Sequence, residues 1–206
     1  MHMDDAVNKV LADYHTRAAR EAELMKSTEP HKIAAILDDL LLAVGPETGT
    51  VLNLLARGMG AKTIVELGTS YGYSTVYLAE AARATGGKVI TFELAEKKAG
   101  YAREQLARAG LEQLVEFQVG SALDNLPKVP GPIDFVLVDL WKDLYVPCLD
   151  ILYGKLAKGA LVAADNMLYP EFSRPDAEAY RRRVRELDFD SVLLNIGSGV
   201  ELSRRR

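Results

Sequence analysis

Hydrophobic and polar positions follow two different patterns along this chain. Over residues 1–60 the apolar residues recur at helical spacing. Val7, Val10, Leu11, Tyr14, Ala18, Ala22 and Met25 form one stripe, with charged residues between them. Pro30, after Ser27-Thr28-Glu29, marks a break and a new helix start. Ile33, Ile36, Leu37, Leu40 and Leu41 carry a second stripe, which predicts a helix running on towards Gly45-Pro46; residues 47–59 predict a third. From Thr63 onward, short apolar runs at 63–67, 89–93, 115–119, 135–139 and 161–165 alternate with helical patterns at 74–84, 96–109 and 144–156. That alternation predicts an α/β fold with a mostly parallel sheet covered on both faces. A charged helix is expected over 177–187, and then β-like segments at 191–196 and 200–203 flank Gly197-Ser198-Gly199. So short a connection joins only antiparallel strands. Arg204, Arg205 and Arg206 are expected to be a frayed, solvated end. Residues 1–60 read as helical cover belonging to the same domain as a core over 61–206.

Composition narrows the function classes. The 206 residues are 49% hydrophobic and 26% charged, which fits one globular domain and excludes intrinsic disorder. With 25 basic against 29 acidic residues, the net charge of −4 offers no basic face, so no nucleic-acid partner is expected. Cys148 is the single cysteine, which excludes an intrachain disulfide and a cysteine-rich zinc site. Its place beside Pro147 reads as packing. No apolar run approaches the roughly 18 to 20 residues of a membrane span, so no membrane partner is expected. Met1-His2-Met3-Asp4-Asp5 lacks the layout of a signal peptide. A cytoplasmic location is the expectation.

The candidate chemistry lies where the predicted strands end, since ligands of open parallel sheets sit beyond the carboxyl edge. After the first run comes Glu66-Leu67-Gly68-Thr69-Ser70-Tyr71-Gly72-Tyr73-Ser74. Its glycines permit a tight turn and close approach of a ligand to the backbone. Ser74 is placed to donate to a ligand carboxylate at the helix start. The spacing is neither G-x-G-x-x-G nor a Walker A loop. Glu93 ends the second run, where a carboxylate can accept from ribose hydroxyls. A plain turn and a solvated acid are the alternatives; together the features favour a nucleoside ligand.

The fourth run leads into Asp139-Leu140-Trp141-Lys142-Asp143-Leu144-Tyr145 and the fifth into Asp165-Asn166. If these strands are neighbours, Asp139, Asp165 and Asn166 form an all-oxygen set suited to Mg²⁺. Zinc is disfavoured, because His2, His15 and His31 all fall in the N-terminal helices. Lys142 is placed to act as a base near the cation. The alternatives at this point are helix capping by Asp139, a surface pair between Lys142 and Asp143, a core position for Trp141, and an ordinary turn at Asp165-Asn166.

Taken together, Val65-Glu-Leu-Gly68-x-x-x-Gly72-Tyr-Ser74, Phe92-Glu93, Gly120-Ser-Ala122, Asp139-Leu-Trp-Lys142-Asp-x-Tyr145 and Ala164-Asp165-Asn166 resemble the cation-dependent class I O-methyltransferases, the group of the catechol and caffeoyl-CoA enzymes. The motifs are most similar to the catechol branch. The resemblance implies a Rossmann-like sheet of seven strands with a C-terminal antiparallel hairpin. It implies S-adenosylmethionine and Mg²⁺ (or another divalent cation) as cofactors, and a small aromatic hydroxyl compound as acceptor. It places Val44, Glu66, Gly68, Ser70, Gly72, Ser74, Glu93, Leu94, Ser121, Ala122, Asp139 and Trp141 around the cofactor. Asp139, Asp165 and Asn166 would ligate the metal, and Lys142 would be the catalytic base. The chain departs from the pattern at Ala43, in place of an asparagine, and at Leu140, in place of a histidine. Asn195 falls near the position of a late acceptor-binding carboxylate. Tyr169, Pro170, Phe172 and Pro175 in the 167–175 loop are the candidate aromatic wall. The N-terminal helices, with Met25, Lys26 and 27–31, are read either as cover over the acceptor or as a packed lid or homodimer surface. Two other classes stand beside this one: an NAD-dependent oxidoreductase, and a non-catalytic nucleoside-cofactor-binding protein on the same fold.

Overall fold

The computed structural model describes residues 3–206, so Met1 and His2 lie outside the described residues. Its helices are α1 (Asp5–Ser27), α2 (Pro30–Ile36), α3 (Pro46–Gly58), α4 (Tyr73–Thr85), α5 (Glu96–Arg108), α6 (Ala122–Asn125), α7 (Tyr145–Tyr153) and α8 (Arg174–Glu186). The strands are β1 (Thr63–Leu67), β2 (Lys88–Glu93), β3 (Val115–Val119), β4 (Ile133–Val138), β5 (Leu156–Ala164), β6 (Phe189–Leu194) and β7 (Val200–Arg205).

They form one seven-stranded sheet in the order β3-β2-β1-β4-β5-β7-β6. The first five strands are parallel. β7 runs antiparallel to β6, as the short glycine connection requires, and also antiparallel to β5. The order reverses between β1 and β4, which is the switch point of the sheet.

The central strands β1 and β4 are largely apolar because both of their faces are buried. Ile64, Phe135, Leu137 and Ala163 pack with Val7, Val10, Leu11 and Tyr14 of α1 and with α3 and α4. Val65, Leu67, Val136 and Val138 face Tyr145, Cys148 and Leu149 of α7 and Tyr180 of α8. Each buried Val or Leu contributes about 1.5–3 kcal/mol. Cys148 is free and buried in this second layer.

Two expectations are corrected. The second N-terminal stripe does not make a helix up to Gly45. α2 ends at Ile36, a short 3-10 turn covers Leu37–Asp39, and residues 40–45 form a strap without regular structure. The stripe recurs because Leu40, Leu41 and Val44 are all buried, not because the chain coils. The C-terminal arginines are not a frayed end either. Arg204 and Arg205 continue β7, which is held between β5 and β6. Arg205 donates to the Leu156 carbonyl, and Arg206 pairs with Asp190 at 2.8 Å. Backbone pairing on both sides orders this strand whatever its side chains are.

Candidate active site

The carboxyl ends of β1, β4 and β5 lie side by side because Leu67 registers with Val138, and Val138 with Ala164. The next residues are therefore Gly68, Asp139 and Asp165. The Asp139 N–H donates to the Leu67 carbonyl at 2.8 Å, and the Asp165 N–H donates to the Val138 carbonyl at 3.0 Å. Gly68 is at φ +101, and a Cβ there would stand 2.1 Å from the Asp139 carbonyl oxygen. Only glycine lets the β1 turn lie this close to the β4 end.

The turn rests on a buried acid. Glu66 accepts from Ser74 Oγ, Thr75 Oγ1 and Thr91 Oγ1, each at 2.6 Å. Burial pushes its pKa up to about 7, although the three hydroxyl bonds oppose this. The Ser74 hydroxyl donates to Glu66 beneath the loop, and Ser74 itself lines the cleft beside Gly68 and Ser70. A carboxyl raised from 4.5 to about 7 stabilises the fold fully below 4.5, and that contribution is lost as pH rises through 7. Glu66→Gln is therefore expected to flatten the fall in Tm between pH 5 and pH 8 relative to wild type. Thermal melts of both proteins at the two pH values check this; an unchanged slope contradicts it.

Glu93, at the end of β2, braces the same turn. Its Oε2 accepts from the Ser70 N–H at 2.8 Å and its Oε1 from the Ala95 N–H at 2.9 Å. Each oxygen keeps acceptor capacity for a further donor. Leu94 beside it is exposed. Ser121 caps α6, accepting from the Asp124 N–H at 3.4 Å, with Ala122 buried behind it. Trp141 is 62% exposed at the mouth, which excludes the core reading. Val44 lies on the strap, facing Gly68, Ser70 and Asp139 across a narrow cleft.

The acidic pair dominates the electrostatics. Burial pushes the Asp139 and Asp165 carboxyls above their ordinary range, and the Asp139 charge raises Asp165 further. Among the described residues, Asp165 Oδ1 is buried with no hydrogen-bond partner. Lys142 turns inward and not to Asp143. Its Nζ donates to Tyr145 Oη at 2.5 Å and to Asn166 Oδ1 at 3.4 Å. Desolvation lowers its pKa to about 8, against the pull of Asp139 and Asp165. Asn166 adopts a left-handed backbone at φ +54. Among the described residues no three His, Cys, Asp or Glu side chains converge. The set at this edge is two carboxylates and one amide oxygen.

The sequence reading gave Tyr145 no role. It holds Lys142 and donates to the Asp165 carbonyl at 3.2 Å, joining the two strand ends. Its spacing of three residues from Lys142 on a helical turn was the available signal. The contacts of Arg17, Glu21 and Tyr71 cross between distant segments, so the sequence carries no local signal for them.

The family profile described as O-methyltransferase matches residues 15–206. The chain belongs to the O-methyltransferase family. Membership sets aside the oxidoreductase and the non-catalytic readings. This methyltransferase is 37% identical over 150 residues to a catechol O-methyltransferase from Mycobacterium tuberculosis, covering 70% of this chain and 68% of that one. Among solved structures it resembles the O-methyltransferase TomG from Streptomyces achromogenes, involved in tomaymycin synthesis and determined in complex with SAM. The TM-score is 0.78 at 28% identity, over 99% of this chain and 91% of that one. It also resembles an O-methyltransferase from Bacillus cereus in complex with SAH, with a TM-score of 0.77 at 25% identity, over 100% and 93% of the two chains. Among the described residues of the methyltransferase, no helix is long and apolar enough to cross a membrane.

Proposed function

We propose that this chain transfers a methyl group from S-adenosylmethionine to one hydroxyl of a catechol-like aromatic small molecule, in a reaction that depends on Mg²⁺ or another divalent cation. The observation that carries the reading is Asp165. A buried carboxylate oxygen without a partner costs free energy unless a cation or donor meets it. Here it lies beside a second desolvated carboxylate, a lysine and an amide oxygen. A hard cation with oxygen ligands fits this donor set. The names of the Mycobacterium tuberculosis relative and the two structural neighbours support the acceptor class and the cofactor.

In this reading Asp139, Asp165 and Asn166 hold the cation. A bound divalent cation lowers the pKa of a coordinated phenol from about 10 and fixes its oxygen. S-adenosylmethionine supplies the methyl carbon on a sulfonium leaving group. The rest falls to the chain's own residues. Gly68, Ser70 and Gly72 let the backbone meet the methionine portion, with Glu66 and Ser74 bracing the turn from below. Val44 covers it from the strap. Glu93 and Leu94 take the ribose side, Ser121 and Ala122 lie along the adenine, and Trp141 packs on its ring. Lys142 Nζ accepts the phenolic proton. Tyr145 holds that amine at the strand ends, where it would meet the acceptor hydroxyl in a fixed position.

The test is to incubate the full chain with S-adenosylmethionine and a panel of catechols and to follow products by mass spectrometry. A monomethylated catechol is the expected result. Tight cofactor binding without turnover of any catechol overturns the acceptor class.

A further inference from the structure

The strap over residues 40–45 has no helix or strand of its own, and Leu42 within it stands at φ +46. A leucine does not adopt that left-handed conformation unaided. Besides the burial of Leu40, Leu41 and Val44, what holds the strap is one face of α1. Glu21 Oε2 accepts from the Leu41 N–H at 2.7 Å, while its Oε1 accepts from Arg17 Nε at 2.6 Å. Arg17 Nη2 donates to the Asp39 carbonyl at 2.9 Å, just before the strap. The same guanidinium lies 4.0 Å from the ring centroid of Tyr71, inside the glycine turn. Tyr14, one turn earlier, donates its hydroxyl to the Tyr71 carbonyl. α1 therefore grips the two walls of the cleft at once, the strap through Glu21 and Arg17 and the turn through Tyr14 and Arg17.

We propose that Arg17 and Glu21 are positioning residues that set the affinity for S-adenosylmethionine by clasping the strap against the glycine turn. The inference rests on the cofactor reading above and adds residues that never touch the cofactor. The side chains of Arg17 and Glu21 are only 24% and 18% exposed. The Glu21 bond to the Leu41 N–H is part-buried and screened least, while the Arg17 bond to the Asp39 carbonyl, just before the strap, is exposed. An ion pair reaching the same region from α5, Lys97 to Asp39, is 79% and 73% exposed and contributes little. If only the clasped form binds well, apparent affinity falls with the clasped fraction, while turnover of the bound complex stays the same.

The experiment compares wild type, Glu21→Ala, Glu21→Gln and Lys97→Ala as full chains. It measures Kd for S-adenosylmethionine by calorimetry, kcat at saturation, and amide exchange at Leu41. Loss of the Glu21 bond to the Leu41 N–H, together with its pair to Arg17, predicts about a tenfold or greater rise in Kd for Glu21→Ala. Glu21→Gln, which can still accept from Leu41, is expected to rise about two- to threefold. Lys97→Ala should match wild type, and kcat should stay within about twofold throughout. Leu41 should exchange faster in the alanine variant than in the glutamine variant. An unchanged Kd in a folded Glu21→Ala, an equal loss in Lys97→Ala, or a fall in kcat at constant Kd overturns the clasp. If Glu21→Ala does not fold, Arg17→Met carries the same comparison through its bond to Asp39. Wild type that binds no S-adenosylmethionine overturns the cofactor reading instead, so the two failures are distinguishable.

Discussion

Lys142→Met is expected to lower kcat by about 10²–10⁴-fold, the range for removing a positioned general base. The Kd for S-adenosylmethionine should stay within about threefold, because the side-chain bonds of Lys142 go to Tyr145 and Asn166 and not to the glycine turn. The argument rests on where the amine sits. Desolvation brings its pKa down to about 8, close enough to neutrality for the free amine to be populated. Methionine keeps most of the stem volume, with sulfur in place of the δ-methylene, and removes the amine. The folded protein should therefore survive, and a circular dichroism melt will separate lost chemistry from lost structure. A variant that retains more than a tenth of wild-type kcat contradicts the assignment.

Asp165→Asn is expected to lower kcat/KM by about 10²-fold or more, equivalent to about 3 kcal/mol of transition-state stabilisation. It should also raise the Tm of the metal-free protein. The two effects share one cause. Asp165 Oδ1 is buried without a partner beside the Asp139 carboxylate, and burial and repulsion both push its pKa up. Burial and Asp139 outweigh what the Asn166 N–H and Lys142 give back to that charge, so replacing it with an amide relieves desolvation and repulsion. A site that is costly to the fold and needed for turnover is expected where function opposes stability. Steady-state kinetics with added Mg²⁺, together with melts in chelator, read both effects. Lower stability without loss of activity contradicts the account.

The sequence exposes most of the sheet because strands buried on both faces leave continuous apolar runs, as in Phe135-Val136-Leu137-Val138. The convergence of Asp139 and Asp165 follows once β4 and β5 are neighbours, and short right-handed connections make that the default. Other features left no periodic trace. Ser74 has the composition of a ligand donor, yet its direction depends on Glu66 below it, eight residues back and on another element. The strap carries a helical stripe because its buried residues happen to fall at helical intervals. The clasp joins Glu21 to Leu41 and Arg17 to Tyr71, pairs that only the tertiary fold brings together. The charged end of β7 reads as solvated because its order comes from backbone ladders, not from apolar side chains.

The most direct measurement is the rate of catechol methylation by the wild-type chain after exhaustive chelation, followed by stepwise return of Mg²⁺. Activity should fall by at least about 10²-fold on chelation, recover saturably with Mg²⁺, and fail to recover in Asp165→Asn. Undiminished methylation in the chelated protein would contradict the metal role of Asp139, Asp165 and Asn166.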